Sequence, residues 1–74
     1  MKETLKVVLD EAKGLLYEDT SMALDLICEK LYYEYKLNAT FNGRSIYIND
    51  VRVASIKTCK EGANIVGIYD YTIL

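Results

Sequence analysis

The stretch Phe41-Asn42-Gly43-Arg44-Ser45-Ile46-Tyr47-Ile48-Asn49-Asp50-Val51-Arg52-Val53 decides the fold. Asn42-Gly43 is a strong hairpin signal, because a tight two-residue turn needs positive φ and both residues tolerate it. Asn49-Asp50 is a weaker form of the same signal. A turn at Asn42-Gly43 pairs Phe41 with Arg44 and Ala39 with Ile46. A turn at Asn49-Asp50 pairs Ile48 with Val51 and Ile46 with Val53. Both turns place Phe41, Ile46, Ile48, Val51 and Val53 on one face of a sheet, with Thr40, Ser45, Tyr47, Arg52 and Ala54 on the other. Ile56 then falls on the polar side, which calls for a bulge after Ala54 or a partly covered second face.

Working outward, Lys60-Glu61-Gly62-Ala63 reads as a longer third turn, leaving strands near 38–41, 44–48, 51–58 and 64–73. The last strand is apolar on both faces. With Val66 and Ile68 turned inward, Tyr69 and Tyr71 join Tyr47 and Arg52 on the open face. Gly67, inside that strand, marks a close approach, most simply by a packed side chain.

Upstream the period is helical. Leu5, Val8, Leu9, Ala12 and Leu16 follow i, i+3, i+4, i+7 spacing, with charges opposite. Tyr17-Glu18-Asp19 reads as a connection, and Asp19, Thr20 or Ser21 can cap a second helix from about Ser21 to Leu37. Its inner stripe is Leu24, Ile27, Cys28, Leu31 and Tyr35. Asp25, Glu29, Tyr32 and Lys36 lie outward. The expected fold is α+β: two N-terminal helices packed on one face of a four-stranded antiparallel β-meander, in a single domain over 1–74.

Composition narrows the chemistry. The 74 residues contain no histidine, no proline and two cysteines, and the formal net charge is −2. Without imidazole, the usual neutral-pH base and the commonest metal ligand are missing. Cys28 on the inner stripe packs as a small hydrophobe, and Cys59 near a strand end has no histidine partner. The adjacent acids Asp10-Glu11 and Glu18-Asp19 point in different directions on a helix. No glycine-rich phosphate loop or calcium loop is present. The reading is no enzyme, no cofactor and no metal site. No apolar run reaches membrane-spanning length and no leader-like stretch occurs, so the expected setting is cytoplasmic, with both thiols reduced.

What remains is surface. Seven tyrosines against one phenylalanine suit contact surfaces, where a ring is buried and its hydroxyl stays wet. Tyr47, Arg52, Tyr69 and Tyr71 form the expected partner-binding cluster on the outer sheet, and the acidic helix side Asp25, Glu29 and Glu34 is the alternative. The chain resembles, in size and style, the small accessory proteins of phages and mobile elements, including inhibitors of host enzymes. The expected function is a non-catalytic protein-binding module, an inhibitor or adaptor. Nucleic-acid binding through the tyrosine/arginine face ranks lower, since residues 38–74 carry four basic side chains against three acids. A self-associating subunit, a homodimer through the outer face, is the third reading.

Overall fold

The computed structural model describes residues 1–74. The chain runs α1 (Lys2–Lys13), β1 (Leu16–Tyr17), α2 (Thr20–Tyr35), β2 (Ala39–Asn42), β3 (Ser45–Ile48), β4 (Val51–Gly62) and β5 (Ile65–Ile73). The strands form one antiparallel sheet in the order β1-β5-β4-β3-β2. The α+β class and the consecutive meander match expectation. The fifth strand does not: Leu16 and Tyr17 leave α1 and pair with Gly67 and Val66 on the far edge of β5. Leu16 is therefore an exposed strand residue instead of a helix-stripe residue.

Both helices cover one face of the sheet. Leu5, Val8, Leu9 and Ala12 of α1 meet Ala23, Leu24, Ile27 and Leu31 of α2 over Ile46, Ile48, Ala54, Ile56 and Ile68. Each large side chain buried in this way contributes about 1.5–3 kcal/mol. Asp19 caps α2, its Oδ1 accepting the Met22 amide at 2.7 Å. The helix stops at Tyr35 because Lys36 turns left-handed at φ 58°, two residues short of the expected Leu37. Tyr35, expected on the inner stripe, is not buried there but 37% exposed.

The first hairpin turns one residue later than the sequence suggests. Asn42 pairs with Ser45, and Phe41 with Ile46, so Gly43 and Arg44 form the loop. Gly43 supplies the positive φ of 62° that the first central position of such a turn requires. Moving the loop by one residue shifts the pairing by two, so no side chain changes face. At the second hairpin both Asn49 and Asp50 adopt positive φ, and Ile48 faces Val51 as expected.

The bulge lies one residue before its anticipated place. Tyr47 faces Arg52, but Ile46 faces Ala54, leaving Val53 as the extra residue. Ala54, expected on the outer face, is turned under the helices with 0% exposure, and Ile56 follows it inward at 2%. Val51, expected in the core, is 63% exposed at the hairpin end. The third turn is tighter than expected: β4 continues to Gly62, the register shifts past Glu61, and Ala63-Asn64 close the loop.

Ala54→Leu inserts volume into a fully buried site. A loss of about 1–3 kcal/mol in urea unfolding is expected. Unchanged stability would place Ala54 on the outer face. Lys36→Gly removes a left-handed strain and is expected to raise stability by up to about 1 kcal/mol in the same assay; a fall would contradict that assignment.

Candidate functional site

The outer-sheet cluster does not assemble. Tyr47 and Arg52 are cross-strand partners on the outer face, and the Arg52 Nε donates to Ser45 Oγ at 3.0 Å. Tyr69 also faces outward, 57% exposed, at a second bulge where Lys57 faces Asp70 and Thr58 faces Ile68. It lies five to six residues along β4 from Arg52, roughly 17–20 Å away. Tyr71 is on the opposite face. It pairs with buried Ile56 and packs against the core beneath α1. The Tyr69 bulge explains this: one extra residue reverses the alternation that would have kept Tyr69 and Tyr71 together.

Tyr71 has a structural role. Its hydroxyl donates to Asp10 Oδ1 at 2.6 Å, and Lys13 Nζ stands 5.6 Å from its ring centroid. Asp10 also receives Lys6 Nζ at 3.3 Å. The Tyr71 hydrogen bond, followed by Lys6, holds the Asp10 carboxyl below its ordinary value; the same bond raises the Tyr71 hydroxyl above its own. The carboxylate contribution is present above the unfolded value of about 4 and is lost as pH falls through the lower folded value. The phenol contribution is full below about 10 and is lost as pH rises toward the higher folded value. Tyr71→Phe should therefore lower the unfolding midpoint between about pH 5 and 9. The gap from the parent should narrow in acid and in strong alkali; a gap constant at all pH values would mean that this bond contributes nothing.

The acidic helix surface also divides. Asp25 and Glu29 border a depression of about 210 Å³ on α2, together with Cys28, Tyr32, Tyr33 and Ala39. Glu34, five positions past Glu29 and thus ~140° around the helix, faces α1 instead. There it stands 3.8 Å from Lys30, which also bonds Glu11 across the helix pair. Neither Asp25 nor Glu29 has a cationic partner among the ion pairs. Tyr32 and Tyr33 are 55% and 68% exposed and meet edge to face at 5.0 Å. The sequence carried this signal in the spacing Asp25, Glu29 and Tyr33 with Tyr32 adjacent, which already puts Tyr32 outward beside the two acids. Glu34 was grouped with those acids although its position turns it away, and the two rings were not counted among the contact residues.

The thiols stand apart. Cys28 is buried at the floor of that depression; burial, aided by the Asp25 charge, pushes its thiol up to about 11, so it stays protonated and inert. Cys59 donates to Glu61 Oε1 at 3.2 Å, which raises its thiol as well. Glu61 and Leu16 lie over Gly67, where an added Cβ would meet Glu61 at 3.2 Å and Leu16 at 3.5 Å. Packing is thus the reason for that glycine. An apolar cleft of about 100 Å³ between the helices is lined by Leu15, Tyr17 and Leu26 under the Glu11–Lys30 pair. No three His, Cys, Asp or Glu side chains converge as metal ligands, and no helix is long and apolar enough to cross a membrane.

No protein-family model matches the chain, and comparison with curated proteins and with solved structures likewise returned no match.

Proposed function

We propose that the chain is a non-catalytic protein-binding module, acting stoichiometrically as an inhibitor or adaptor, and that α2 presents its contact surface. One observation carries this reading: two exposed tyrosine rings stand beside two unpaired carboxylates around a shared depression. Aromatic rings left open to water on a small domain gain most when a partner covers them. The carboxylates add selection for a basic surface, since like charge there is penalised by desolvation and repulsion. An arginine or lysine of the partner suits this surface: its stem lies against the rings while its charge meets Asp25 and Glu29.

The test compares the parent with two variants, Glu29→Lys plus Tyr32→Ala on α2 and Arg52→Ala on the outer sheet. Each is first checked for an unchanged unfolding midpoint, as expected for exposed positions. A protein recovered in equimolar amount from the native host should accompany the parent and the sheet variant, and be lost with the α2 variant. Recovery with the α2 variant, or no equimolar companion, overturns the proposal.

A further inference from the structure

β5 has an open edge. Its only neighbour on that side, β1, covers Val66 and Gly67, so residues 68–73 have no strand beyond them. α1 ends at Gly14 and β1 begins at Leu16, so no strand residue precedes Leu16 along that edge. The backbone groups aimed at the gap follow from the ladder. Leu74 N–H donates to Val53 O at 3.0 Å, with Ala54 facing Ile73, so Ile73 does not exchange hydrogen bonds with β4. Alternation gives Tyr71 the same orientation. The Tyr71 amide confirms this: it donates to the side chain of Asp70, Oδ1 at 2.9 Å, instead of to a strand.

We propose that this edge accepts an extended acidic segment of a partner protein, added antiparallel as a further strand in line with β1. Exposed strand edges bind by main-chain hydrogen bonds and select by alternate side chains. Here the helix-side residues of the added strand meet the flank of α1. That flank carries Lys6, Asp10 and Lys13 around Tyr71, and Lys13 has no carboxylate partner. Its net charge favours a carboxylate opposite Tyr71. A second copy of this chain, brought to the edge by two-fold symmetry, sets this cationic flank against itself and is the poorer occupant. Asp70 acts as a removable guard, satisfying the Tyr71 amide until a strand arrives. The surface is separate from the α2 depression and does not depend on it.

The probe is the capped peptide Thr-Val-Thr-Glu-Thr-Val-Thr, titrated into the full chain and followed by amide NMR and hydrogen exchange. Slowed exchange at Tyr71 and Ile73 and shifts along Lys6–Lys13 are expected. Affinity should be about threefold to fivefold greater than for the peptide with Lys replacing Glu. Asp70→Ala should speed Tyr71 exchange in the free protein and tighten peptide binding, and Glu29→Lys should leave that binding unchanged. The proposal is overturned by no response at millimolar peptide, by shifts confined to α2 or the outer face, by equal affinity for both peptides, or by concentration-dependent protection of Tyr71 without peptide.

Discussion

The architecture depends on one register: Ile46 opposite Ala54, with Val53 left over. Side chains alternate along a strand, so this single extra residue decides whether Ala54 and Ile56 lie under the helices or in water. Ile46, Ile48, Ala54 and Ile56 together make the floor on which Leu24 and Leu31 of α2 rest. A domain this short has no second core to compensate for a lost floor. The two tight turns bring β3 alongside its neighbours, and the bulge aims β4.

The second bulge, at Tyr69, has a comparable effect on the surface. By sending Tyr71 inward it converts a contact-surface candidate into a tie between β5 and α1, through Asp10 and Lys13. It also breaks up the outer tyrosine/arginine face, where Tyr47 and Arg52 stay together and Tyr69 stands alone. With that face divided, the rings of Tyr32 and Tyr33 stand together beside Asp25 and Glu29, which have no cationic partner. Binding by a surface and binding by a strand edge are compatible, since the two regions lie on different elements.

Much of this was legible in the residues. Helical spacing from Leu5 to Ala12 and from Leu24 to Leu31 located both helices, and Asn-Gly and Asn-Asp located two of the three hairpins. The first turn formed one residue late without harm, because an even shift preserves faces. The misplaced side chains of β4 and β5 have a common cause. A bulge adds one residue without any composition signal: Val53 and Ala54 are both small and apolar, and either fits inward. Ile56 on the wrong side was the one visible symptom, and it pointed to a bulge. A two-residue strand such as Leu16–Tyr17 is too short to show a period, and its pairing is settled by where α1 ends. Asp25 and Glu29 share one side of α2, as their four-residue spacing implies, whereas the face of Tyr71 depended on a parity that the Tyr69 bulge reversed.

Cross-strand proton contacts in an NMR spectrum of the isotopically labelled protein address the register directly. The bulged register puts Ile46 opposite Ala54 and Ser45 opposite Ser55, with the Ala54 methyl shielded among helix side chains. Contacts joining Ile46 to Val53 and Ser45 to Ala54 would mean an unbroken ladder and would contradict it.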